Sequence, residues 1–136
     1  MELMRAVVLD RFGGPEVLTV GQRPLPEPLP TEVRVRVAAA GVNPIDGKTR
    51  SGQGMARFLG DLPFVLGWDI AGEVEAVGVG VTRFEVGDQV FGMPRFPRLA
   101  GCYAEYVTAP SRQLAKLPAG LDHVGAAALP LAALTA

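Results

Sequence analysis

Proline and glycine decide what this chain can become. Twelve prolines and seventeen glycines fall within 136 residues. Proline removes a backbone donor and glycine costs the most order, which argues for many strands and turns more than for long helices. The densest break is Arg23–Thr31, where Pro24, Pro26, Pro28 and Pro30 alternate with other residues. Such a run reads as an extended, polyproline-like connector on a sheet edge or on the surface. Directly after it, Glu32–Ala39 alternates with period two, with Val33, Val35 and Val37 on one face and Glu32, Arg34 and Arg36 on the other. That pattern predicts a half-buried strand.

Other short runs read the same way. Met4–Leu9, Val17–Val20, Asp69–Val77, Tyr103–Thr108 and Gln113–Leu117 are strand-like, and Gly72 predicts a bulge or a close backbone approach within the third. Gly87-Asp88 predicts a hairpin turn between Phe84–Val86 and Gln89–Gly92, while Met93–Ala100 reads as a loop. Almost half of the residues are hydrophobic, enough for one sizeable core. The expected fold is therefore mainly β. At Asp122 the composition changes: this residue is a candidate helix N-cap before the alanine-rich stretch Gly125–Ala136, which has no C-cap and reads as a helix cut short. The chain divides on this reading into 1–121 and 122–136.

Charge and rare residues narrow the function. The net charge is −1 with both signs interspersed, which leaves no electrostatic footprint for a nucleic acid or an anionic membrane. No apolar signal segment stands at the start, and the apolar tract Val124–Ala136 contains Pro130 and falls short of the roughly 20 residues that span a bilayer. A cytoplasmic protein acting on a small molecule is expected. Cys102 is the only cysteine and His123 the only histidine, so neither an internal disulfide nor a zinc site of several Cys and His ligands can form. Buried Cys102 and exposed His123 are the expected states.

Two stretches concentrate side chains suited to a cleft: Ala39–Gly52, read as a loop, and Leu66–Val74. The runs AAGVNPID (39–46), LGWDIAGEVEAVG (66–78), FEVGDQVFG (84–92), CYAEYV (102–107) and LPLAALTA (129–136) together resemble the N-terminal domain of medium-chain dehydrogenases/reductases. The likeness is to the zinc-independent branch of quinone oxidoreductases and zeta-crystallin. The resemblance implies a GroES-like, barrel-like antiparallel domain whose full-length relatives continue into a Rossmann domain binding NADPH. No G-x-G-x-x-G dinucleotide fingerprint stands in this chain.

The same resemblance assigns candidate residues. The zinc ligands of zinc-dependent relatives align with Asn43, Trp68 and Asp69, and an amide and an indole are poor zinc ligands, so no zinc is expected. Without a Lewis acid the site has only hydrogen-bond donors to offer developing oxyanion charge, which favours conjugated acceptors such as quinones and α,β-unsaturated carbonyls. Asn43 is expected to donate to a substrate oxygen or to the nicotinamide carboxamide, or else to open a turn before Pro44. Lys48, where close relatives often carry tyrosine, is either an oxyanion or phosphate partner or a solvated lysine. Trp68 is expected as an aromatic wall or as a packed indole, and Asp69 as a base or as an orienting group. Arg50 is an expected salt-bridge partner of Asp46 or a phosphate contact. Thr135 is expected near the nicotinamide, and packing is expected of Tyr103 and Tyr106. A homo-oligomer is anticipated. The alternative reading is a GroES-like binding or oligomerisation module without turnover.

Overall fold

The valines of the period-two strand need cover on one face, and the fold is arranged to supply it. In the computed structural model, which describes residues 2–135, this strand is β3 (Glu32–Gly41), and it sits inside a five-stranded antiparallel sheet. Around it run β5 (Asp69–Val77), β6 (Gln89–Gly92), β7 (Tyr106–Pro110) and β8 (Leu114–Lys116), in the order β7-β3-β5-β6-β8. Val33 and Val35 lose all solvent exposure there, packing with Ile70, Val74, Phe84, Val90 and Val107. Burying each such side chain is worth roughly 1.5–3 kcal/mol. The opposite face keeps Arg34 and Arg36 beside Glu75 and Glu73 of β5, with nitrogen–oxygen distances of 2.5 and 3.1 Å. The alternation is thus resolved into core on one side and ion pairs on the other.

A smaller sheet closes the molecule. β1 (Leu3–Leu9) pairs with β2 (Leu18–Pro24) along its whole length and with β4 (Phe64–Val65) at its end. The segment before β7 stitches the two sheets into a barrel-like wrap. Val7 donates to the Tyr103 carbonyl at 2.8 Å, Glu105 donates to Arg5 at 3.1 Å, and Val37 donates to Glu105 at 2.8 Å. Around this smaller sheet gathers a second apolar cluster of Leu9, Val17, Leu59, Phe64, Leu66 and Trp68.

Several expectations are corrected. Within the stretch read as a loop, Pro44–Arg50 is a helix, α1, because Asn43 is an extended N-cap, Pro44 takes the first helical position, and the Asp46 side chain accepts the Asn43 N–H at 2.9 Å. Seven residues are too few to show a helical period. Phe84–Val86 is not a strand: Phe84 turns into the core and Val86 into solvent. The turn at Gly87 is present, yet it folds back on β5 through Gly87 N–H to the Val74 carbonyl at 2.9 Å instead of closing a hairpin. β7 starts at Tyr106, later than expected, because Tyr103–Glu105 is the stitch between sheets. Asp122 does cap a helix, accepting from Gly125 N–H at 2.7 Å, but Pro130 splits the C-terminal stretch into α2 (His123–Ala127) and α3 (Pro130–Thr135). His123, expected exposed, is half-buried with Nε2 2.6 Å from Gln89 Oε1. Cys102 is fully buried. No helix among the described residues is long and apolar enough to cross a membrane.

β3 and β5 approach closely at Gly72. A Cβ there would stand 2.1 Å from the Arg36 carbonyl oxygen, next to the register shift between Val37 and Ala39. Gly72→Ala should therefore cost about 1–3 kcal/mol, and more if the strands cannot part. Urea unfolding will show a lower midpoint at unchanged slope, whereas an unchanged midpoint would mean the contact is not rigid.

Candidate active site

The site forms where β3 ends and β5 begins. Gly41 is paired with Asp69 across the two strands, which leaves Asn43, two residues further on, beside the Asp69 carboxylate. Gly41 is required by the packing: a Cβ would lie 2.4 Å from the Ala127 carbonyl oxygen and 2.8 Å from the Asp69 side chain. Its absence lets α2 close down on the strand ends. The result is a cleft of about 250 Å3 lined by Ala39, Ala40, Gly41, Val42, Asn43, Asp69, Val124 and Ala128. Asn43 and Asp69 supply its polar end.

Asp69 has no solvent exposure, so hydrogen bonds must replace its water. Oδ2 accepts Asn43 Nδ2–H at 2.8 Å and Oδ1 accepts the Leu131 backbone N–H at 2.9 Å. Leu131 follows Pro130 at the start of α3, where a helix has N–H groups without intrahelical partners. Burial lifts the Asp69 carboxyl above aspartate's ordinary value, against the two hydrogen bonds, and nearby Asp46 adds to the lift. Asp46 is also nearly inaccessible. Its Oδ2 accepts both the Asn43 N–H at 2.9 Å and the Tyr103 hydroxyl at 2.8 Å. Burial raises this carboxyl too, offset by the Asn43 and Tyr103 bonds and slightly by the Gly67 N–H, which makes no bond of ordinary geometry to the buried Oδ1. The Tyr103 hydroxyl is held far above tyrosine's usual range, by burial first and by Asp46 second, and so stays a donor.

Among the candidates drawn from the sequence, the structure brings Asn43 and Asp69 together and leaves the others apart. Trp68, a candidate aromatic wall, is corrected to a core residue: it is fully buried, donates Nε1–H to the Arg98 carbonyl at 2.7 Å, and meets the Phe96 ring edge-on at 5.3 Å. Lys48 lies exposed on α1 and outside the cleft lining. Thr135 is exposed on α3 and donates its hydroxyl to the Leu131 carbonyl at 2.6 Å. Arg50 donates to the Gly13 carbonyl at 3.1 Å, not to Asp46. Asp46 and Tyr103 are the network members that sequence reasoning missed as site residues. An acid three residues after the Asn of an Asn-Pro pair is the capping signal that would have pointed to Asp46; nothing local points to Tyr103, whose partner is 57 positions away.

A zinc ion does not fit this donor set. Asn43 is a neutral amide, the Trp68 indole is a donor turned into the core, and the one carboxylate has both oxygens bonded. Among the described residues no three of His, Cys, Asp and Glu converge.

Known proteins share this framework. The model for the alcohol dehydrogenase GroES-like domain matches residues 29–119, two-thirds of the chain, and the chain belongs to that family, within the medium-chain dehydrogenase/reductase superfamily. It is 42% identical over 136 residues to a quinone oxidoreductase of Lama guanicoe, covering 98% of this chain and 39% of that protein. The quinone oxidoreductase structure from Coxiella burnetii superposes with a TM-score of 0.91 at 39% identity, covering 98% of this chain and 43% of the other. A mycobacterial structure complexed with NADPH superposes with a TM-score of 0.82 at 39% identity, covering 97% of this chain and 39% of that one. The chain spans about two-fifths of the length of the relatives it matches.

The raised carboxyls have a measurable consequence. A group that holds its proton more tightly when folded contributes most to stability at pH values below its unfolded pKa, and loses that contribution as pH rises through the folded value. Asp69→Asn removes one such titration. Between about pH 4 and 7 its stability, from urea unfolding, should decline less steeply than that of the wild type; parallel curves would show that Asp69 titrates unperturbed.

Proposed function

We propose that this chain is the substrate-side half of an NADPH-dependent, zinc-independent oxidoreductase that reduces quinones or α,β-unsaturated carbonyls. The observation that carries this reading is the cleft end, where a neutral amide is braced by two buried carboxylates. One Asn43 Nδ2–H is committed to Asp69. The amide's second N–H remains for a ligand oxygen, either the substrate carbonyl or the carboxamide of the nicotinamide ring. NADPH, when bound, supplies the hydride. The residues present suit only its nicotinamide end, since the chain has no glycine-rich turn to cradle phosphates. Thr135 reaches the cofactor on this reading only by exchanging its bond to Leu131, and Lys48 acts from the rim or not at all. The 136 residues alone are on these grounds inactive, and the protein is cytoplasmic.

As acceptor oxygen gains charge during hydride delivery, a donor held in place beforehand stabilises it without reorganising. Asp69 and Asp46 fix that donor through its side chain and its backbone. A conjugated acceptor spreads the same charge and needs less help, which suits a site with one neutral donor in place of a metal. Incubating the full-length protein with NADPH and a panel of quinones and enones should give NADPH oxidation with at least one, and Asn43→Ala should lower kcat/KM roughly 100-fold. No oxidation with any member would sink the proposal.

A groove of about 730 Å3 beside α3, lined by Phe91, Met93, Leu129, Pro130 and Leu134 among others, is apolar and open. Leu129 and Leu134 are exposed. Contiguous apolar surface of this kind favours association with a second copy. Light scattering of the purified chain should report a dimer or larger; a monodisperse monomer would refute it.

A further inference from the structure

We infer that Tyr103 is a positioning residue of the cleft: its hydroxyl holds the Asp46 carboxylate in the orientation that fixes Asn43. Tyr103 does not line the cleft, and its effect passes through one shared oxygen. Asp46 Oδ2 receives the Tyr103 O–H at 2.8 Å and the Asn43 N–H at 2.9 Å. The other oxygen, Oδ1, is buried without a hydrogen-bond partner among the described residues. Once the hydroxyl is removed, Oδ2 keeps only the Asn43 N–H that it is meant to hold, and Oδ1 has only the poorly aligned Gly67 N–H nearby.

The tyrosine is itself held rigidly. Its N–H donates to the Leu66 carbonyl at 2.9 Å, and its carbonyl accepts from Val7 N–H at 2.8 Å. The ring lies against Gly67, where a Cβ would come within 2.7 Å of it and where φ is +101°. Both the missing Cβ and the left-handed backbone call for glycine. Gly67 stands two residues before Asp69, so the ring seats on the segment that leads to one carboxylate while its hydroxyl orders the other. Tyr103 thus ties the segment leading into β5 and the first turn of α1, which carries Asp46, to a common post. The titratable groups around Asp46 from the neighbouring elements are Asp69 on β5 and Cys102 with Tyr103 ahead of β7.

The inference rests on Asn43 facing the ligand, but its test needs neither NADPH nor turnover, so the two readings fail separately. In Tyr103→Phe, nuclear magnetic resonance of the chain should show displaced backbone and side-chain amide signals of Asn43. The Asn43 N–H should exchange with solvent about fivefold faster, the equivalent of one ordinary hydrogen bond. Val35 and Val74 amides, deep in the β3–β5 ladder, should keep their rates. Asp46→Asn should shift the same signals, and the double variant should add little to either single one. Should Tyr103→Phe fail to fold, replacing the tyrosines by 3-fluorotyrosine changes donor strength while keeping the packing, and should still move the Asn43 signals. Unmoved Asn43 signals in these proteins, or faster exchange spread evenly over the core, would overturn the assignment and leave Tyr103 a packing residue.

Discussion

A carboxylate withdrawn from water has to recover its hydration from the protein, and at Asp69 the recovery comes from two remote pieces of chain. The Asn43 amide arrives from the end of β3 and the Leu131 N–H from the start of α3. Neither would be in reach unless β3 and β5 were in the register that sets Gly41 opposite Asp69. That register in turn requires the backbones to touch at Gly72 and α2 to close on Gly41, two places where a single methyl group would collide with a carbonyl oxygen. The geometry of the cleft is thus a consequence of strand pairing and of two glycines, before any functional side chain is considered.

What the cleft offers chemically follows from how little charge it presents. Both carboxylates are spent on internal donors, Lys48 stands in solvent and the indole of Trp68 is turned inward. Among the described residues that line the cavity, the side chain with donor capacity to spare is the neutral amide of Asn43. Such a group orients a ligand and stabilises partial charge by a preorganised dipole, and it does so without the desolvation cost that a buried ion would carry. The buried carboxyls act one step back, as acceptors that hold this dipole still.

Much of the fold was legible in the sequence, and the reason is physical. Period-two alternation at Glu32–Ala39, the proline run before it and the glycine turns are local signals whose meaning does not depend on distant residues, and β3, the connector and Asp69–Val77 came out with nearly the expected bounds. The failures share one cause. Helix α1 is seven residues long and held by a cap; Phe84 is apolar because it enters the core from a turn, not because it alternates along a strand; Tyr103–Glu105 spends its hydrogen bonds on two different sheets. In each case tertiary partners override the local pattern. The candidate site divides along the same line. Asn43 and Asp69 were singled out through motif resemblance and stand side by side in the fold, whereas for Trp68 an alignment position conveys which residue stands there and not which way it points, and of its two readings the fold takes the packed indole. Asp46 and Tyr103 meet only after the chain has folded.

The pairing of Asn43 with Asp69 also bears on how poorly this donor set suits a metal. A buried carboxylate at the entrance of a strand is compensated either by a cation or by neutral donors, and the two solutions demand different neighbours. A thiolate at position 43 would set a second anion against Asp69 and, through the helix start, near Asp46, a cluster that needs either a cation or protonation to be tolerated. An amide at the same position removes that need, since its N–H donates a hydrogen bond to Asp69 and brings no charge of its own. The N–H of Leu131 completes the neutral solution on the other oxygen. Asn43 is accordingly the residue that compensates the buried Asp69 with a neutral donor, and that donation leaves it a second amide N–H.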